Sequence, residues 1–130
     1  MILLAAVFYF FKPGKYTSDI FPSVIDKTIV LTKEFSPYHL KGHCIIKTNG
    51  MLIVEPGVRI IYYDTMGIEA HGPLKIIGSE NQPVHIIPAD SSSEFLRILL
   101  LKVSDTSYFE RIISQNFSIT LEGSNAVVRN

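Results

Sequence analysis

The chain has no tryptophan and a single cysteine among its 130 residues. With Cys44 alone, an intramolecular disulfide is excluded, and cysteine usage says nothing about the redox compartment. The expected role of Cys44 is that of a small packed residue beside Ile45 and Ile46 rather than a reactive thiol. An excess of either charge is also missing, since 12 basic residues balance 12 acidic ones. A nucleic-acid or anionic-membrane partner would call for a basic excess, so no nucleic-acid partner is expected. Zero net charge combined with a mean hydropathy of +0.27 predicts poor solubility for the isolated chain.

Catalytic motifs are lacking as well. The sequence contains no Gly-rich phosphate loop, no Gly-x-Ser-x-Gly and no Cys/His pair in a recognisable context. His39, His43, His71 and His85 share no metal-ligand spacing. His39 and His43 stand four apart, as two ligands on a helix would, but Pro37 and Gly42 argue against a helix there. No cofactor and no metal are expected.

A membrane-spanning run is absent too. Residues 1–11 are apolar without interruption until Lys12-Pro13-Gly14-Lys15, yet eleven residues are too few to cross a bilayer as a helix. Three readings compete for residues 1–15. The length suits the apolar region of a secretory signal, although no basic stretch precedes it and no small-x-small site follows Phe11. It also fits the stub of a longer membrane or signal segment, or an element that caps the fold.

What the chain does contain is a repeat. Gly50-Met51-Leu52-Ile53-Val54 aligns with Gly72-Pro73-Leu74-Lys75-Ile76 at an offset of 22, where Ile46 would also meet Ile68 and Lys47 would form an ion pair with Glu69. A fixed period in the twenties, with short runs punctuated by Gly, is the signature of a solenoid, whose units cover one another's apolar faces. Within the runs the alternation has a period of two, which is a strand's period. Leu52, Val54, Val58, Ile60, Ile68, Ala70, Leu74, Ile76, Val84 and Ile86, with Ile46, form the predicted inward set. Ile53, Glu55, Arg59, Glu69, Lys75 and His85 face outward.

Pro56-Gly57 fits a type II turn, since Gly accepts the positive φ at the third position. Val58 to Val84 spans 26 residues rather than 22, so Gly78-Ser79-Glu80-Asn81-Gln82-Pro83 is expected to project as a loop. Three short strands per turn, joined by tight corners, describe an all-β fold, a short right-handed parallel β-helix. Thr28-Ile29-Val30-Leu31-Thr32 is a plausible strand at its entry, and Tyr38 is expected to pack at a corner.

Ser36-Pro37-Tyr38, the 52–60 run, and Gly72-Pro73-Leu74-Lys75-Ile76-Ile77-Gly78 followed by Gln82-Pro83-Val84-His85-Ile86 carry a resemblance. They resemble the right-handed parallel β-helix, of pectate-lyase-like fold, found in large secreted bacterial surface proteins and in the animal cell-junction protein bark beetle. The likeness spans roughly residues 25–88. It implies a structural or adhesion role outside the cell, and the matching positions are core and corner residues.

The expected organisation is an apolar segment over 1–15, β-helix coils over 16–88 and a less defined extension over 89–130. Asp90-Ser91-Ser92-Ser93-Glu94 marks the boundary, with capping-box spacing from Ser91 to Glu94. The apolar run 95–103 suits either a short helix or a buried strand, and the preceding β turns favour a strand. Ile112-Ile113 and Ser118-Ile119-Thr120-Leu121 read as two more strands, so the extension is either further strands or a cap. The inward set is small for the backbone it must order. The stack is therefore either capped by its flanks or a piece of a longer solenoid, and the second is preferred.

Enzymes on β-helices need clustered carboxylates to hold Ca²⁺ or to act as an acid–base pair. Outward Glu55 and Glu69 have no second carboxylate two residues away. The expected function is thus a non-catalytic structural or adhesion module of a secreted or membrane-anchored extracellular protein, partnered by other coils or another protein. It would meet the membrane only through an anchor or signal segment. The alternative is a carbohydrate-binding or carbohydrate-cleaving β-helix, partnered by polysaccharide, whose site lies outside this chain. Tyr62 and Tyr63 are the candidate sugar-stacking pair. Asn116, in Asn116-Phe117-Ser118, is a candidate N-glycosylation site, meaningful only in the secretory pathway.

Overall fold

In the computed structural model the described residues are 16–63, 67–91 and 96–130. They run through three faces in strict rotation, and every strand pairs in parallel with the strand one coil away. The first coil holds β1 (Val24–Ile25) and β2 (Thr28–Leu31), and the second β3 (Tyr38–Leu40), β4 (Cys44–Ile46) and β5 (Met51–Val54). The third has β6 (Arg59–Tyr62), β7 (Gly67–Ala70) and β8 (Leu74–Ile77), and the fourth β9 (Val84–Pro88), β10 (Leu96–Leu101) and β11 (Ser107–Glu110). The last coil is β12 (Ile112–Ser114), β13 (Phe117–Glu122) and β14 (Ala126–Arg129). The three sheets are β1-β4-β7-β10-β13, β2-β5-β8-β11-β14 and β3-β6-β9-β12. This is a parallel β-solenoid of about 4 turns.

Strand alternation builds the core. Every residue of the predicted inward set is buried, joined by Ile25, Leu31, Tyr38, Leu40, Cys44, Tyr62, Leu96, Ile98, Leu100 and Phe109. Vertical neighbours are like with like: Leu52 lies on Leu74, Val54 on Ile76 and Ile60 on Ile86. Such columns fill the interior without large steps in volume, as close packing requires.

Corners follow from local chemistry. Gly57 has φ 80 in the Pro56-Gly57 turn, and the Val58 N–H donates to the Glu55 carbonyl at 3.4 Å. That is the turn the dipeptide predicts. Ser79 to Gln82 forms the exposed projecting loop, closed by the Ser79 N–H donating to the Gln82 carbonyl at 3.0 Å. Tyr38 differs from the corner role expected of it. Its ring lies in the core, and its hydroxyl donates to the Thr32 carbonyl at 2.8 Å while accepting from the Thr32 N–H at 2.9 Å.

The repeat period needs correction. An offset of 22 holds for β3 on β6 and for β5 on β8, but Cys44 pairs with Ile68 and Ile46 with Ala70, an offset of 24. Two extra residues enter between Tyr62 and Ile68, and the corner between Ala70 and Leu74 is shorter by two, which restores the register at Leu74. Ile46 therefore does not sit on Ile68. Lys47 does not face Glu69, whose lateral neighbours are Ile45 and Leu99.

Residues 96–130 carry β10 to β14, which continue the same three sheets. The 96–101 part of the apolar run is a strand in register with β7. The Ser91 to Glu94 capping signal falls partly outside the described residues, and residues 1–15 lie wholly outside them.

Candidate functional site

Tyr62 and Tyr63 do not form one platform. Neighbours in a strand point to opposite faces, and Tyr62 takes the inward one. Its ring is fully buried, burial pushes its phenol up from 10.0, and its hydroxyl donates to the Asn116 carbonyl at 3.2 Å. This corrects the stacking role expected of Tyr62, because no sugar can reach it. Tyr63 is half-buried just after β6. Its hydroxyl is hydrogen-bonded to Nδ1 of His39 at 2.7 Å, and the Lys41 ammonium sits 5.4 Å from its ring centroid. The Tyr63 side chain is thus already engaged by a cation–π contact and a ring neighbour, His39, at 5.8 Å.

Other outward polar groups pair locally. His71 Nε2 and Glu69 Oε2 are 2.9 Å apart, and Arg129 reaches Glu110 at 3.5 Å. Lys75 lies 6.0 Å from the ring of Tyr108, one coil on. Among the described residues, no group of three or more His, Cys, Asp or Glu could hold a metal ion, and no helix is long and apolar enough to cross a membrane. Cys44 is buried, and desolvation pushes its thiol from 9.0 up to about 12, so it is protonated and inert at neutral pH.

Asn116 is exposed at the corner between β12 and β13. Its main chain is held, since its carbonyl accepts from both the Tyr62 hydroxyl and the Leu96 N–H, the latter at 3.0 Å.

The surface that stands out is an end of the stack. Phe117, Ile119 and Leu121 lie on Leu96, Ile98 and Leu100, while Val128 lies on Phe109 and Ile112 on Val84. They are therefore inward residues of the last coil. Yet Leu121 is 47% exposed and Val128 65%, where their neighbours one coil below are buried. The opposite end differs, since Phe21, Ile25 and Leu31 are 4%, 0% and 0% exposed. Here Tyr16 approaches the ring of Tyr38 at 6.4 Å between centroids, and the Tyr16 N–H donates to the Val30 carbonyl on the outer edge of β2.

Sequence patterning marks these side chains as inward, but whether anything covers an inward residue depends on its place in the stack. The His39–Tyr63 pair was equally hidden, because the two residues are 24 apart and belong to different coils. Comparison of the chain with protein-family models, with curated proteins and with solved structures returns no match.

Proposed function

We propose that this chain is a non-catalytic structural module of adhesion type, a right-handed parallel β-helix carried by a secreted or membrane-anchored extracellular protein and working at cell contacts. The observation that supports this reading is the stack itself, three parallel sheets whose strands turn aliphatic columns inward and charged side chains such as Glu55, Arg59 and Lys75 outward. Among the described residues the outward ion pairs are His71 with Glu69 and Arg129 with Glu110, on separate faces of the stack, which suits a scaffold better than a reaction centre.

The test is expression of the full chain in secretory animal cells, followed by labelling with a reagent that cannot cross membranes. Labelled chain on the cell surface or in the medium is the expected result, together with attachment of cells to chain-coated plastic. Purely cytosolic chain, or turnover of a polysaccharide by the purified chain, would overturn the reading.

A further inference from the structure

We propose that Asn116 carries an N-linked glycan, attached when the chain enters the secretory pathway. The proposal rests on the reading of the chain as extracellular, and adds to it a modification site and the class of donor that fills it.

The motif occurs once. Of Asn49, Asn81, Asn116, Asn125 and Asn130, only Asn116 has a serine or threonine two residues on, with a residue other than proline between them. Asn81 is exposed in the projecting loop, but Pro83 stands where the hydroxyl would be needed.

A three-residue motif recurs by chance, and the fold supplies what the motif alone does not, which is direction. Side chains alternate along β13. Phe117 turns inward, paired with Leu96 and with its ring 6.3 Å from that of Phe109 between centroids. Ser118 turns outward and is exposed, as is Asn116 one residue before the strand. The amide and the hydroxyl that the motif requires therefore lie clear of the core, with Phe117 pointing away between them. Strands of the solenoid meet along their edges through main-chain hydrogen bonds, so stacking covers the edge of β13 and not this outward side.

The Asn116 main chain is already held, its carbonyl accepting from the Tyr62 hydroxyl at 3.2 Å and from the Leu96 N–H at 3.0 Å. Both bonds use the backbone, so conversion of the side chain removes neither. A glycan there leaves the ladder and the aliphatic columns as they are.

The donor is an oligosaccharide held through its anomeric carbon on a lipid diphosphate. The amide nitrogen of Asn116 bonds to that carbon, the bond from the carbon to the phosphate oxygen breaks, and the lipid diphosphate leaves. One amide proton passes to a base of the transferase, and nothing is oxidised or reduced. The product is a bulky hydrophilic group on one side of the stack, which counters the low solubility that zero net charge predicts.

The experiment expresses the full chain in secretory animal cells in two forms, as it stands and behind an added cleavable secretion signal. Gel mobility is read before and after peptide N-glycosidase. The signal-bearing chain is expected to run slowly and to return, after the enzyme, to the mobility of its Asn116→Gln variant. Ser118→Ala is expected to abolish the slow band and Ser118→Thr to keep it. Residue 118 is exposed, so neither change opens the core. Circular dichroism of the glycosylated chain is expected to show a cooperative melt close to that of Asn116→Gln.

No slow band on the signal-bearing chain, a slow band that survives Asn116→Gln, or a glycan found only on chain without a cooperative melt would each overturn the proposal. The chain as it stands separates this site from the functional reading. If it stays in the cytosol while the signal-bearing form is glycosylated, the extracellular reading fails and the site stands. If it reaches the medium without a glycan, the reading stands and the site fails.

Discussion

The Tyr62 hydroxyl donates to the main-chain carbonyl of Asn116, 54 residues further along, and so ties the third coil to the last. Tyr38 plays a comparable part nearer the start, gripping the N–H and carbonyl of Thr32. The two phenols are not equivalent, because what each leaves behind on removal differs. Without Tyr62, the Asn116 carbonyl keeps the Leu96 N–H. Without the Tyr38 hydroxyl, the Thr32 carbonyl keeps the Phe35 N–H at 3.4 Å, but the buried Thr32 N–H loses its partner. Tyr38→Phe is therefore expected to cost about 1–3 kcal/mol in urea unfolding, the cost of an orphaned buried donor. Tyr62→Phe should cost less than about 1 kcal/mol. Equal losses in the two variants would contradict this ranking.

Gly72→Ala is expected to be among the most damaging small changes. A Cβ there would run into the carbonyl oxygen of Gly50 and crowd that of Lys47, both backbone atoms that cannot rotate away. The same holds one coil earlier, where a Cβ on Gly50 would strike the carbonyl of Ile25. The aligned glycines of the repeat are thus a column of close backbone approach. The expected outcome for either variant is a loss of several degrees in melting temperature by circular dichroism, and an unchanged melt would refute the packing argument.

Alkaline pH should weaken the fold through Cys44. Its folded thiol titrates near 12 against 9.0 when unfolded, so between those values the unfolded chain releases the proton and the folded chain keeps it. Stability is then fully present below pH 9.0 and falls as pH rises toward 12. The slope contributed is about 1.4 kcal/mol per pH unit. Tyr62, whose phenol is raised by burial, adds the same sign above 10.0. The measurement is the difference in urea stability between the unaltered chain and Cys44→Ala as pH rises from 9.0 to 10.0, and a difference independent of pH would refute it.

Much of the fold was legible because the inward positions are aliphatic and alternate. Leu52, Val54, Val58 and Ile60 announce two strands and one core face at once. The exact period was less legible. Between Tyr62 and Ile68 the corner lengthens by two residues, an even number, so each side chain keeps its face while its neighbour one coil away changes. β11 and β14 escaped notice for a different reason. In β11 the inward Ser107 is polar, buried and hydrogen-bonded, its hydroxyl accepting from the Leu74 N–H at 3.1 Å, so the alternation is broken where it would be looked for. The exposure of Leu121 could not be read from any local pattern, since Leu121 and Leu100 look alike in sequence, and Leu100 is the one that Leu121 covers.

The uneven spacing between coils carries a further meaning. Leu74 follows Leu52 by 22 residues, but Phe109 follows Ile76 by 33 and Val128 follows Phe109 by 19. All of the variation falls at corners, while the ladders run on undisturbed. Doubling a flexible loop costs only about 0.6 kcal/mol in closure entropy. The corner at Ser79 to Gln82, where four residues have already been accommodated, is consequently a natural port for insertion. New sequence placed there would give the surface a new shape and leave the columns inside untouched.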